Sequence, residues 1–248
     1  MMAQWLSGSV TSNHHWHANL FSLKVKTAPF DFIAGQFVRL ALNTPDGKVQ
    51  RAYSLVNSPG AAEQEFLVSA VADGALSPLL QQLKMGDEVA ISQPASGFFI
   101  LDEIPDGENL WLMSSGTGIG PFLSMLGTHL IWQRFRHIIL VHTVRTIADL
   151  AYRELIQSWQ HQYHGQLHYQ PIVTREAHAG ALDKRLPELI QTNELQHVCK
   201  QPLNSQSQVM LCGNPQMITD TKATLESLGL TKNLRRNPGN ITVEQYWK

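Results

Sequence analysis

Polar and apolar positions change rhythm once along this chain. In the first hundred residues the rhythm has period two. Phe21, Leu23 and Val25 alternate with Ser22, Lys24 and Lys26; Val38, Leu40 and Leu42 repeat the pattern, then Phe66, Val68 and Ala70, then Val89 and Ile91. Turn signals separate these runs at Ala34-Gly35, Pro45-Asp46-Gly47, Ser58-Pro59-Gly60 and Lys84-Met85-Gly86-Asp87. Short alternating strands with regular turns predict an antiparallel barrel or sandwich. One helical start interrupts them, with Ser77 as cap and Pro78 at the first helical position before Leu79, Leu80 and Leu83.

The polar stretch Asp102–Glu108 marks a boundary, after which the texture changes. Leu110–Met113, Ile138–Val141, Ile172-Val173 and Val209–Leu211 are continuous apolar runs. Helical spacings lie between them: Leu150, Leu155, Ile156 and Trp159, then Ile218, Leu225 and Leu228. Apolar strands alternating with helices predict a parallel sheet covered on both faces. The reading is thus two domains, residues 1–104 and 105–248. In an open parallel sheet the ligand lies beyond the carboxyl ends of the strands, so the residues after each apolar run are the place to look.

Composition narrows the function classes. The chain has 248 residues, a net charge of −1 and 43% hydrophobic residues, which excludes disorder and a broad basic surface for nucleic acid. Residues 1–104 carry 6 basic and 9 acidic side chains, and residues 105–248 carry 13 and 11. Two cysteines, Cys199 and Cys212, are too few for a disulfide framework or a four-cysteine zinc site. The uncharged stretch 109–133 spends its middle on Ser114–Gly120 and Pro121, so no membrane span is expected. No positive-then-apolar leader opens the chain, so a cytoplasmic protein is expected. His14, His15 and His17 invite a metal reading, but no carboxylate or cysteine motif accompanies them; they read as a solvated turn, and no metal is expected.

The candidate chemistry sits at turns and strand ends. Gly116-Thr117-Gly118-Ile119-Gly120-Pro121 follows the first apolar run and suits close backbone approach to a phosphate or a flat ring, or serves as a structural turn. Val144-Arg145 follows the second run, Thr174-Arg175 the third, and Arg185 comes ten residues later. Guanidinium forks at strand ends can clamp phosphates; singly, each reads first as an ordinary solvated arginine, and three on one predicted edge shift that balance. Cys212-Gly213-Asn214-Pro215-Gln216 follows the fourth run, with Asn214 placed to cap a helix beginning at Pro215. In the first half, Arg51-Ala52-Tyr53-Ser54 could hold an aromatic cofactor through a stacked ring, a hydroxyl and a phosphate contact, or be a plain alternating strand. Gly74-Ala75-Leu76-Ser77 offers backbone N–H groups at a helix start.

Together these residues resemble the bacterial ferredoxin/flavodoxin–NADP(+) reductases of the ferredoxin reductase-like family, over essentially the whole length. Arg51–Ser54 is similar to the flavin motif R-x-Y-S, Gly116–Pro121 to the loop G-T-G-x-G-P, and Cys212–Pro215 to C-G-N-P. The ending Glu244-Gln245-Tyr246-Trp247 is similar to an aromatic terminus that contacts FAD. The resemblance implies a Greek-key antiparallel β-barrel that binds FAD, then an α/β domain with a parallel sheet that binds NADP(H), with the nicotinamide meeting the flavin between them. It implies FAD contacts from Arg51, Ala52, Tyr53, Ser54, Val68, Ser69, Ala70, Gly74, Ala75, Leu76, Ser77, Thr117, Tyr246 and Trp247. NADP contacts are implied for Val144, Arg145, Thr174, Arg175, Arg185, Pro215, Gln216 and Met217, with Arg175 and Arg185 on the 2′-phosphate. Tyr53, Ser54 and Cys212 would stand nearest the chemistry. Ala75 departs from the lysine that close relatives often carry, and Lys248 extends past the aromatic end.

The implied activity is hydride transfer between NADPH and the flavin, then single-electron steps to an acidic ferredoxin or flavodoxin. Lys232, Arg235 and Arg236 are candidates for a basic docking rim, and a monomer is expected. The alternatives are a reductase serving an oxygenase or free flavin, and a non-catalytic flavin-binding regulator.

Overall fold

A computed structural model describes residues 4–245. The chain divides into two compact units. One runs through Leu101 and takes in Gly120–Thr128; the other comprises Asp102–Ile119 and the chain from His129 onward. Tyr246 and Trp247, expected to contact FAD, lie outside the described residues.

The first unit is a six-stranded antiparallel sheet: β1 (Gln4–His17), β2 (Leu20–Thr27), β3 (Phe37–Thr44), β4 (Gly47–Ser54), β5 (Gln64–Ser69) and β6 (Glu88–Gln93), in the order β4-β3-β6-β1-β2-β5. Just beyond the edge strand β4, the Val56 N–H donates to the Glu65 carbonyl on the opposite edge strand β5 at 2.9 Å, so the sheet curls into a half-barrel. The period-two residues read from the sequence fill its inside: Phe21, Leu23, Val25, Val38, Leu40, Phe66, Val68, Val89 and Ile91 are all buried. Helix α1 (Ser77–Gln82) lies here, and so does α2 (Gly120–Leu126), whose Phe122 ring sits 5.6 Å from that of Phe99. The Ser124 hydroxyl donates to the Asn57 carbonyl at 2.7 Å.

Two local expectations fail here. His14, His15 and His17 form no turn; they end β1, with His14 opposite Ser22 and His15 opposite Phe21. The strand continues because the Trp16 indole N–H donates to the Ser22 hydroxyl and the His15 ring stacks on the core residue Phe21, which gives the polar run good neighbours on both faces. At the start of α1, Leu76 holds the cap position and Pro78 the second helical one. The Ser77 hydroxyl is already committed elsewhere, accepting from the Val71 N–H at 3.1 Å.

The second unit is a five-stranded, wholly parallel sheet: β7 (Asn109–Ser115), β8 (His137–Val144), β9 (Leu167–Val173), β10 (Ser207–Gly213) and β11 (Ile241–Gln245), in the order β11-β10-β7-β8-β9. Helices α3 (His129–Arg134), α4 (Arg153–Gln162), α5 (Leu186–Gln191), α6 (Glu194–Cys199) and α7 (Pro215–Ser227) alternate with the strands. Leu110–Met113, Ile138–Val141 and Val209–Cys212 are buried outright, which explains their unbroken apolar texture. Strand β11 was not anticipated; it is a five-residue edge strand of mixed polarity, too short for a period to show. The chain proceeds from β7 to β8 and β9 on one side, then crosses to β10 on the other, so the topological switch point lies between β7 and β10. Among the described residues, no helix is long and apolar enough to cross a membrane.

Candidate functional site

In the half-barrel the candidate residues gather on an edge. Arg51 and Ala52 are exposed on β4, Tyr53 is half-buried and Ser54 is buried at the strand's end. The Arg51 guanidinium spends one N–H on the neighbouring Gln50 carbonyl at 2.7 Å and keeps the rest. Burial pushes the Tyr53 hydroxyl up to about 12, against a smaller opposing pull from Arg51, so it stays a neutral phenol able to donate. The Ser54 hydroxyl has no partner among the described residues. Beyond β5, Ser69 is exposed and Ala70 half-buried, whereas the Val68 side chain belongs to the core, so only its backbone is available to a ligand.

The turn before α1 has the chemistry of a diphosphate cradle. The Gly74 N–H donates to the Val71 carbonyl at 2.8 Å, closing a tight turn. A Cβ on Gly74 would come within 2.9 Å of both the Ser77 hydroxyl and the Val71 carbonyl oxygen, so the turn requires glycine. The N–H groups of Ala75, Leu76 and Ser77 take no acceptor among the described residues. Consecutive unpaired donors of this kind suit phosphate oxygens. The hydroxyls on β4 and these donors fit FAD: Arg51, Tyr53 and Ser54 would hold its ring side and Gly74–Ser77 its phosphates. Ala75 contributes no charge there, and the Leu76 side chain is buried, leaving its backbone.

In the second unit two loops meet closely at the switch point, where Gly118 and Gly213 leave room for the backbones to approach. Gly116 (φ +53) opens a 3-10 turn, Gly116–Ile119, directly after β7. A Cβ on Gly118 would lie 2.5 Å from the Cys212 carbonyl oxygen. Gly213, the last residue of β10, holds φ +129, and a Cβ there would lie 2.4 Å from the Ser115 hydroxyl. The Asn214 N–H closes the seam by donating to that hydroxyl at 2.9 Å. Asn214 then caps α7 as expected, its Oδ1 accepting from the N–H groups of Gln216 (2.8 Å) and Met217 (3.2 Å), with Pro215 in the first turn. The Gln216 amide donates to Asp220, and the Met217 sulfur accepts from the Thr221 hydroxyl at 3.6 Å. Thr117 is half-buried, and the Cys212 side chain is fully buried.

The arginines line up along the same mouth. The Arg175 N–H donates to the Arg145 carbonyl at 3.0 Å, and the Thr174 N–H to the buried Val144 carbonyl at 3.1 Å, so the ends of β8 and β9 lie side by side. The chain after Thr174 returns against β9, where Val173 and Leu182 pair at 2.8 Å, and this brings Arg185 to the cap position of α5. Arg145, Arg175 and Arg185 are exposed and make no ion pair among the described residues, while the adjacent Lys184 is bound to Glu194 at 2.7 Å. Strand β9 lies two strands from β7, about 10 Å at ordinary strand spacing, a span suited to an extended dinucleotide.

Two residues here escaped the sequence reading. His142 is fully buried in β8, with its Nε2 3.0 Å from the Gly116 carbonyl; burial pushes it down to about 4. Glu176 accepts from the Ile147 N–H and so ties the loops that carry Arg175 and Arg145. The only signal for His142 was a histidine inside an apolar run. Of the proposed docking rim, Arg235 is committed to Glu103 through two hydrogen bonds, at 2.9 and 2.5 Å.

Comparison with known proteins agrees in both halves. Residues 6–100 match the oxidoreductase FAD-binding domain and residues 112–223 the oxidoreductase NAD-binding domain. A nicotinamide- and FAD-linked oxidoreductase is therefore the class that fold and site define. The flavodoxin/ferredoxin–NADP reductase of Escherichia coli is 48% identical over 248 residues, covering 99% of this chain and all of that one. The ferredoxin–NADP reductase of Pseudomonas aeruginosa is 35% identical over 98% of both. A crystal structure of a ferredoxin NADP⁺ reductase from Neisseria gonorrhoeae with bound FAD and NADP matches with a TM-score of 0.94 at 31% identity, covering 99% of this chain and 100% of that one. The chain belongs to the flavodoxin/ferredoxin–NADP reductase family.

Proposed function

We propose that the protein carries electrons between NADPH and a one-electron carrier, a ferredoxin or flavodoxin, with FAD as its bound redox group. FAD, when bound, supplies the exchange between a two-electron donor and a one-electron acceptor; the chain positions the partners. Arg51, Tyr53 and Ser54 hold the flavin from β4, and Ser54 presents its unpaired hydroxyl to the ring's edge. Backbone from Val68, Ser69 and Ala70 lines the ring, Gly74–Ser77 receive the phosphates, and Thr117 stands near the ring. Arg145, with Val144 and Thr174 beside it, and Pro215, Gln216 and Met217 flank the nicotinamide nucleotide. Arg175 and Arg185 read its 2′-phosphate, and Cys212 backs the nicotinamide end. The protein acts as a cytoplasmic monomer and receives an acidic carrier on a basic rim that retains Lys232 and Arg236.

The observation that carries this reading is the trio of arginines, without an ion pair among the described residues, on the carboxyl side of a parallel sheet whose switch point is drawn close at Gly118 and Gly213. Such a mouth attracts a polyanion at one side and admits a flat ring at the other. The test is to purify the protein, record its visible spectrum, and follow reduction of a one-electron acceptor by NADPH and by NADH. Yellow protein with a strong NADPH preference is expected. A colourless preparation that takes up no FAD on reconstitution would overturn the reading. Ser54→Ala should slow flavin reduction in stopped flow by roughly 10-fold while changing FAD affinity less, as expected for loss of one well-placed hydrogen bond. Unchanged reduction would remove Ser54 from the chemistry.

A further inference from the structure

Strand β8 is covered on both faces, and its neighbours Ile138, Ile139, Leu140 and Val141 are fully buried aliphatics. His142 continues that run and is itself fully buried. Its Nδ1 is buried without a partner, which costs roughly 1–3 kcal/mol relative to a satisfied or apolar side chain. A valine or isoleucine would serve the strand better. What the imidazole provides instead is one hydrogen bond, from Nε2 to the Gly116 carbonyl at 3.0 Å.

That carbonyl belongs to the first residue of the turn carrying Thr117 and Gly118. Gly116 stands exposed at φ +53, and a Cβ built there meets nothing within 4 Å, so no side chain is packed over that side of its Cα. On the other side the turn is fixed by the close approach of Gly118 to Cys212. His142 therefore supplies a second point of restraint from inside the sheet. A carbonyl only accepts, so Nε2 carries the proton. The imidazole is neutral in the native protein, since burial holds it down to about 4.

We propose that His142 is a positioning residue for the reaction: its Nε2–H, held by the Gly116 carbonyl, sets the glycine turn at the switch point in the geometry that the nicotinamide and flavin require. This rests on the electron-transfer reading above. It assigns His142 no contact with either cofactor and no proton transfer.

The experiment compares holoenzyme variants. His142→Leu removes the donor, and His142→Gln returns an N–H at the reach of Nε2. Should the leucine variant not fold, His142→Asn, whose shorter amide falls short of the carbonyl, takes its place. The donor-less variant should lose roughly 10- to 100-fold in kcat with NADPH, the scale expected for ångström misplacement of a reacting group, with KM for NADPH within about 2-fold. His142→Gln should recover to within about 3-fold of the parent by the same geometric argument. A donor-less variant with parental kcat would overturn the proposal, as would equal impairment of the leucine and glutamine variants, which would reduce His142 to packing. A second readout is independent of turnover. Long-range ¹H–¹⁵N spectra of the unmodified protein should show His142 as a neutral, Nε2-protonated ring whose N–H exchanges slowly with solvent. A ring protonated at Nδ1, or one exchanging freely, would overturn the proposal even in active enzyme. If the unmodified protein fails to take electrons from NADPH, the functional reading falls, and the spectra still decide the hydrogen bond.

Discussion

The two ends of the parallel sheet handle charge in opposite ways. At the amino ends of the strands three arginines, Arg134, Arg136 and Arg235, are matched. Arg134, just before β8, lies 2.9 Å from Asp106 and also donates to the Ile104 carbonyl. Arg136 lies 3.4 Å from Glu108, and Arg235, ahead of β11, grips Glu103 with two N–H groups. The three acids come from one short stretch leading into β7. At the carboxyl ends, Arg145, Arg175 and Arg185 are left without a carboxylate, and the nearby Glu176 is occupied by the Ile147 N–H. Exposed ion pairs contribute little stability, so the matching at one end is better read as cancelling stray charge. An arriving polyanion then meets three unmatched arginines together where the strands finish, which aids steering to that mouth.

The comparison is most easily broken at the glycine seam of the mouth. Gly118→Ala would put a Cβ 2.5 Å from the Cys212 carbonyl oxygen, a backbone atom that cannot swing aside. It should destabilise the protein by about 3 kcal/mol or more and abolish nucleotide-dependent reduction, as severe overpacking does. Thermal melting together with turnover checks this; an active variant with parental Tm would mean that the seam is looser than its distances indicate.

A second large effect concerns pH. His142 has a native pKa of about 4 against an ordinary 6.5, so the unfolded chain binds the proton more readily. The stabilisation is fully present above about 6.5 and is lost as pH falls toward 4, amounting to roughly 3 kcal/mol for a buried group shifted this far. Denaturant titrations between pH 7 and 4 should show the parent losing more stability than His142→Gln by about that amount. Parallel pH profiles would refute the buried neutral ring.

Next comes charge at the mouth. Arg175→Ala combined with Arg185→Ala should raise KM for NADPH by roughly 100-fold and change that for NADH by less than about 2-fold, since two charge-assisted contacts vanish that NADH never makes. Equal losses with both nucleotides would show that these arginines do not read the 2′-phosphate.

Most of this contrast was legible in the sequence, and the unread parts share a cause. The runs ending at Met113, Val141, Val173 and Leu211 located the strand ends, and the switch-point rule turned those ends into a site. The glycines beside these strand ends stood out, and at 118 and 213 they permit a backbone approach that a Cβ would block. The half-barrel's inside was legible because each inward residue is apolar by turns. His142 and Glu176 were not, because their roles exist only through partners 26 and 29 residues away along the chain. Nor did spacing separate paired from unpaired arginines: Arg134, Arg136 and Arg235 look no different in sequence from Arg145, Arg175 and Arg185. The histidines of β1 misled because a solvated strand face and a solvated turn have the same composition.

The smallest expected effect tests the other half of the contrast. Arg136→Ala deletes a guanidinium at the foot of the sheet whose pair with Glu108 is long and solvent-exposed on both sides. Such a pair contributes about 0–1 kcal/mol, so the variant should melt within a degree or two of the parent. KM for NADPH should stay within about 2-fold, because the charge sits at the end of the strands away from Arg145 and is screened over such distances at physiological salt. A marked rise in KM for NADPH would mean that the amino ends also feel the nucleotide. The division between a silent foot and a binding mouth would then have to be abandoned in favour of a field spread over the whole sheet.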